Sequence, residues 1–310
     1  MARQKSTTVR TQEMLEVARR YFRTLDRVAP PVAARVGARL WFRLPAPPAP
    51  ERRQRRQPTG GAAFEVTGEG LTVRGRVFGE DPHQPVAYLV HGWGGHWQQL
   101  GAMVEPLRDA GYRVVVHDAP SHGDSPPGRY GRRSTRVMEM ARAHALVVER
   151  HGDAALTVAH SLGVMAVLWA ARHHGTRLGA LVTVAAATDI DELVDSFRRL
   201  TGSGTRSRAA MLDRIERTIG IPREEFEGPA LAAAAVADQG PVPLLAVHDT
   251  TDVVSPARIS ERLVAAWPGA ELVLTGGLGH RRVLWAPEVL PRVSAFAVQQ
   301  LGAKSRVGTT

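Results

Sequence analysis

From Val86 onward the chain repeats one pattern: a run of three to six mostly apolar residues, then a longer stretch that is mostly helical in its spacing, then another such run. The runs are Val86–Val90, Tyr112–His117, Leu156–Ala159, Ala180–Val184, Leu244–Val247 and Leu272–Leu274. They lack polar alternation, so as strands they need cover on both faces, which a mostly parallel sheet with helices on each side provides. Ahead of them Ala63–Thr67 and Leu71–Phe78 do alternate, as an antiparallel pair would. The fold class expected is therefore α/β, with a doubly wound, mostly parallel sheet over residues 58–310. A chain of 310 residues buries roughly three quarters of its unfolded surface and needs no covalent staple. It contains no cysteine, which excludes disulfides, thiolate metal sites and a cysteine nucleophile. Its chemistry has to use oxygen or nitrogen.

Two stretches depart from the pattern. Residues 188–240 bring polar helices and a Gly/Ser-rich turn, Thr201–Ser207, and read as a small helical cap inserted over the sheet. Phe197, Leu200, Met211, Leu212, Ile215 and Ile219 there serve either helix packing or an acyl pocket. Residues 1–57 hold 14 Arg and Lys against 4 Asp and Glu, while the rest of the chain balances at 26 against 26. The net charge of +10 thus belongs wholly to this segment. Within it Thr11–Val28 puts Leu15, Ala18, Phe22 and Leu25 on one helical stripe, Pro30 and Pro31 end that helix, and a second short helix runs through Val36 and Leu40. Pro45–Arg56 reads as a linker. The stripe either docks on the body or lies on an anionic membrane surface, with weak peripheral association through residues 1–57. A neutral body without an aromatic-basic stacking pattern argues against a nucleic-acid partner. Apolar runs reach about half the length of a membrane span, and Met1–Arg10 lacks a secretory apolar stretch. The expected compartment is the cytoplasm.

Three stretches at run ends hold residues suited to catalysis. Val158-Ala159-His160-Ser161-Leu162-Gly163 joins an apolar strand to an apolar helix through a serine with small residues two positions to either side. A nucleophile elbow needs this, because the tight turn that exposes the hydroxyl crowds the flanking positions. Taken alone it also fits a serine capping a helix. Val90-His91-Gly92-Trp93-Gly94-Gly95 supplies a backbone able to approach a substrate closely, and Gly276-Gly277-Leu278-Gly279-His280 a flexible loop with one histidine. His173 and His174 sit at a helix end, and His91 with His96 lacks the spacing and carboxylate company of a metal site.

With His117-Asp118-Ala119-Pro120-Ser121-His122-Gly123-Asp124-Ser125 after the next strand, the chain resembles the α/β-hydrolase superfamily over roughly residues 62–302. It is similar to the branch with an HG-x-x-G oxyanion loop and a D-x-P-x-H-G-x-S turn, although Ser121 stands where many members have glycine and Ala159 where the elbow usually has glycine. The resemblance implies that the second turn is structural, leaving Asp118 and His122 outside the catalytic set. It marks Asp252, in His248-x-x-x-Asp252-Val253-Val254, as the acid, with Asp249 as competitor, and His280 as the base. The order Ser161, Asp252, His280 is that of the fold. The backbone N–H groups of Leu162 and, by analogy, Trp93 would form the oxyanion hole. The resemblance thus implies a serine hydrolase that splits a carboxylic ester, or a related acyl compound such as a thioester, without metal or cofactor. Its partner is a small-molecule acyl substrate. The rival reading is a noncatalytic scaffold acting as a ligand receptor or interaction protein.

Overall fold

The computed structural model describes residues 16–46 and 58–307, except residues 18 and 238 and the side chains of 303–307. Leu15, Ala18 and most of the expected linker lie outside this set. By their contacts the residues form two compact units: the described part up to Arg43 with Ile190–Arg223, and Leu44–Asp189 with Glu224–Thr310.

The larger unit is built on eight strands: β1 (Ala62–Gly68), β2 (Leu71–Phe78), β3 (Val86–Val90), β4 (Arg113–Asp118), β5 (Ala154–His160), β6 (Leu181–Val184), β7 (Leu244–Asp249) and β8 (Glu271–Thr275). They lie in the order β1-β2-β4-β3-β5-β6-β7-β8. β1 with β2 and β2 with β4 pair antiparallel, and every later pair is parallel. All eight fall where the apolar runs and the alternating pair lead one to expect them. β3, β5, β6 and β7 are buried at every position, whereas β1 alternates between half-buried and exposed. The helices Val104–Asp109, Val137–His151, Leu162–His174, Gly228–Ala237, Arg258–Ala265 and Leu290–Val307 complete this α/β unit. One core layer joins Leu89, Val116, Val158, Val182 and Val247 of the sheet to Leu100, Leu107, Val289 and Val293.

Strand order reverses at β3, since β4 lies on one side of it and β5 onward on the other. In an open parallel sheet such a point leaves a crevice beyond the carboxyl ends of the strands, the usual place for a ligand. The Gly92–Gly95 loop and Ser161 both emerge there.

The smaller unit contains the helical residues 16–17 and 19–28, which we label α1, then α2 (Pro30–Trp41), together with the helices Ile190–Thr201 and Arg208–Ile219. Pro30 and Pro31 end α1 and open α2, where a missing N–H and a fixed φ cost nothing. Gly37 allows α2 close to Arg208–Ile219: a Cβ there would sit 3.0 Å from the Met211 sulfur. Trp41 meets Phe197 edge to face at 5.6 Å. Asp26 is buried and its Oδ1 accepts both the N–H (2.9 Å) and the hydroxyl (2.5 Å) of Ser207. Arg19 Nε donates to the Leu200 carbonyl at 3.0 Å. Residues 190–223 of the expected cap thus share a unit with the N-terminal helices, while residues 224–240 belong with the sheet.

Candidate active site

Ser161 sits between the last residue of β5 and the first of helix Leu162–His174 with φ 54° and ψ −127°. A serine rarely adopts positive φ, and residues held there cluster at functional sites. The surroundings enforce it: Ser161 N–H donates to the Val184 carbonyl (3.0 Å), and its own carbonyl accepts from Val164 N–H (3.0 Å) and Ala187 N–H (3.3 Å). At Gly163 a Cβ would stand 2.6 Å from the His91 carbonyl oxygen, so no larger residue fits. Ala159, on the other side of the turn, is fully buried, and its methyl is accommodated.

Three of the expected side chains meet in one line. His280 Nε2 lies 3.0 Å from Ser161 Oγ, and His280 Nδ1 lies 2.6 Å from Asp252 Oδ2. The other oxygen, Oδ1, accepts the N–H groups of Val254 (2.8 Å) and Ser255 (3.0 Å). Burial pushes the Asp252 carboxyl upward, but His248, 3.5 Å from Oδ2, together with His280 and the Ser255 N–H, holds it well below the usual carboxylate range. An ionised Asp252 can only accept, so His280 Nδ1 carries the proton and Nε2 faces the serine as an acceptor.

Asp249 does not join this line. Its carboxylate accepts from Thr251 N–H (3.0 Å), Thr275 Oγ1 (2.9 Å), Leu278 N–H (2.9 Å) and Gly279 N–H (2.9 Å). It is the clasp that shapes the loop bearing His280.

The glycine loop after β3 rests against the serine. A Cβ on Gly92 would be 2.7 Å from Ser161 Cβ and 3.2 Å from Leu162 N. Leu162 opens its helix, so its N–H has no acceptor within that helix. Trp93 lies between Gly92 and Gly94, and two buried histidines hold its loop. His91 Nδ1–H donates to the Gly92 carbonyl (2.8 Å) while Nε2 accepts from Ala119 N–H (3.0 Å). His122 Nδ1–H donates to the Pro120 carbonyl (3.0 Å), and Nε2 accepts from Gly94 N–H (3.0 Å). Each uses one ring nitrogen as acceptor and so must be neutral. Burial favours this, lowering His91 well below its usual range and His122 to about 4.

Asp118 braces the same region, taking Trp97 N–H on Oδ1 and Asp124 N–H on Oδ2, both at 2.8 Å. Ser121, in the glycine position of the motif, has φ 66°, the left-handed conformation that glycine adopts most easily. Its hydroxyl donates to the Gly131 carbonyl (2.8 Å) and accepts from Gly128 N–H (3.0 Å), which gives a serine local partners there.

No motif in the sequence singles out His160. It is buried beside His280, the ring centroids 4.8 Å apart, and its Nε2–H donates to the His280 carbonyl at 2.9 Å. Burial, then the neighbouring His280, drive its pKa to about 3. Its only signal in the sequence is its position before Ser161, at the end of the strand.

A serine held at positive φ on a strand-to-helix turn, at the switch point of a doubly wound sheet, defines the class of protein to which this chain compares. The family model described as alpha/beta hydrolase fold matches residues 85–206. The chain is 24% identical over 254 residues to the pimeloyl-[acyl-carrier protein] methyl ester esterase of Klebsiella pneumoniae (strain 342), covering 71% of this chain and 93% of that one. It is 24% identical over 241 residues to the pyrethroid hydrolase of Sphingobium wenxiniae, covering 67% and 85%. Est1E from Butyrivibrio proteoclasticus superposes with a TM-score of 0.58 at 18% identity, over 78% of this chain and 100% of that one. The chain has the α/β-hydrolase fold.

Proposed function

We propose that the protein is a serine hydrolase that cleaves a carboxylic ester, or a close acyl relative such as a thioester, through an acyl-enzyme. The observation that carries this reading is the hydrogen-bonded line Ser161–His280–Asp252 at 3.0 and 2.6 Å. His280 Nε2 takes the Ser161 proton as Oγ attacks the carbonyl carbon, and Asp252 stabilises the imidazolium that results. His280 then gives its proton to the departing alkoxide. Water, deprotonated by the same nitrogen, attacks the acyl-serine and releases the acid, restoring the hydroxyl. The oxyanion of each tetrahedral intermediate is met by the N–H of Leu162 and that of Trp93; one such donor is worth roughly 3–4 kcal/mol. The reading requires neither metal nor cofactor.

Esters are preferred over amides because an alkoxide leaves with less protonation than an amine needs. The preference agrees with the methyl ester esterase among the relatives. The test is labelling with a fluorophosphonate probe alongside hydrolysis of p-nitrophenyl esters of graded acyl length. Wild type should label at Ser161 and turn over, and Ser161→Ala should do neither. Full hydrolysis by Ser161→Ala would refute the mechanism, and a folded wild type that neither labels nor hydrolyses would favour a ligand receptor.

A further inference from the structure

Helix α1 presents two apolar faces. The inner one holds Phe22, buried, and Leu25, half-buried, with the buried Asp26 beside them. The outer one is formed by Val17, Tyr21 and Val28, which are 67%, 55% and 74% exposed. At 100° per residue these three, with Thr24, fall within roughly 60° of one another on the side away from Asp26. The stripe is about 16 Å long. On α2, Val32 and Leu40 are likewise exposed, and Arg35 and Arg39 lie between them in sequence on the same side.

Scattered exposed apolar residues are ordinary, but a continuous helical stripe of them beside cations is not. Arg20 and Arg27 flank the α1 stripe on one edge, and among the described residues Arg20, Arg27 and Arg39 form no ion pair. From residue 16 to residue 43 there are seven arginines and two acids, the exposed Glu16 and Asp26, which is turned inward to Ser207. The face therefore combines exposed apolar side chains with an excess of positive charge. That pairing matches a bilayer whose headgroups are anionic and whose acyl boundary lies just beneath them.

We infer that the outer face of α1, centred on Val17, Tyr21 and Val28 and flanked by Arg20 and Arg27, acts with the exposed Val32, Arg39 and Leu40 of α2 as a docking surface for an anionic membrane. The inner face packs within its own unit at the same time, so the helix stays folded whether or not a membrane is present. Guanidinium groups supply the long-range attraction, and the three apolar side chains enter the headgroup layer once contact is made. Binding built this way is reversible and sensitive to salt.

The experiment is sedimentation of the full chain with vesicles of equal parts phosphatidylglycerol and phosphatidylcholine, at low and high salt, with light scattering in their absence. Three variants are compared with wild type: Val17→Ser/Tyr21→Ser/Val28→Ser, Arg20→Gln/Arg27→Gln/Arg39→Gln, and a charge-matched control, Arg150→Gln/Arg177→Gln/Arg292→Gln. Circular dichroism checks that each is folded. The wild type should bind at low salt and release at high salt. The arginine variant should lose roughly a hundredfold in partitioning and the apolar variant at least tenfold, while the control stays within about threefold of wild type. If the apolar variant fails to fold, the arginine variant and its control still decide the matter. Absence of wild-type binding at low salt would overturn the inference, and so would equal loss in the control, which would mean attraction by net charge alone. A dimer that dissociates when Val17, Tyr21 and Val28 are replaced would overturn it too, by making a second copy the occupant.

Discussion

Replacing Asp252 by asparagine changes one atom of the hydrogen-bonded line, and the structure dictates how the amide will sit. Oδ1 accepts two backbone N–H groups, from Val254 and Ser255. An amide NH₂ in that position could accept neither, leaving two buried donors unsatisfied at about 1–3 kcal/mol each. The flipped amide would thus be populated at roughly 3% or less. Asparagine must keep its carbonyl toward Val254 and Ser255 and turn its NH₂ to the place now held by Oδ2, 2.6 Å from His280 Nδ1. An NH₂ donor there makes Nδ1 the acceptor and moves the imidazole proton to Nε2. The Ser161 proton then has no acceptor. Loss of the correct tautomer in a serine triad costs roughly 10⁴ in turnover, about 5.5 kcal/mol of transition-state stabilisation. The assay is kcat/KM on p-nitrophenyl acetate, paired with the second-order rate of fluorophosphonate labelling and a melting curve. Asp249→Asn is the control: with its donors clustered in the His280 loop, it should lower the melting temperature by several degrees and reduce turnover far less. A folded Asp252→Asn enzyme within tenfold of wild type, or an Asp249→Asn enzyme that is slower, would refute the assignment of roles.

Packing and burial each make one more prediction. Gly92→Ala puts a methyl 2.7 Å from Ser161 Cβ and 2.9 Å from the His160 carbonyl, so the loop must retreat; kcat should fall roughly a hundredfold with fold and labelling site retained, and an unchanged kcat would show that this loop supplies no donor. His144, stacked on His117 and edge-on to Tyr88, is driven by burial from 6.5 to about 4. A depressed folded pKa means that below pH 6.5 the unfolded chain takes up a proton the folded one refuses, so stability is complete above about 6.5 and drains away as pH falls toward 4. His144→Phe keeps a ring in the site without the proton, and its melting temperature should fall less steeply between pH 7 and 4.5; an unaltered slope would remove His144 from the acid response.

The strands were legible because burial on both faces leaves one signature, and an apolar run in a chain of this composition has few other uses. The meeting of Ser161, Asp252 and His280 was legible for a related reason: each follows the carboxyl end of a strand, and at Ser161 the tight turn dictates the small residues around it. Interactions that join distant residues by one hydrogen bond leave no such trace. Asp26 with Ser207 spans 181 positions, and nothing near Asp26 distinguishes it from a surface carboxylate on an arginine-rich helix. His160 was invisible because its donation to the His280 backbone is addressed to a carbonyl, which every residue has. On α1 the periodicity revealed Phe22 and Leu25 but hid Val17, Tyr21 and Val28, since a helix with apolar residues on two sides gives a blurred pattern.

The bond from His160 to the backbone of His280 has a consequence for how this protein can change. Ser161 and His280 are tied together by a bond between His160 and the His280 backbone that spans 120 positions of sequence within the same unit. Residues 190–223 leave that unit after β6 and return before β7. The bonds named above that set Ser161, His280 and Asp252 against one another all lie outside this stretch. The hydrogen-bonded line and the excursion can therefore be inherited separately. A foreign helical segment grafted between Asp189 and Glu224 would leave every one of those bonds in place, so the stretch can be exchanged without altering the separation of the Ser161 oxygen from the His280 nitrogen.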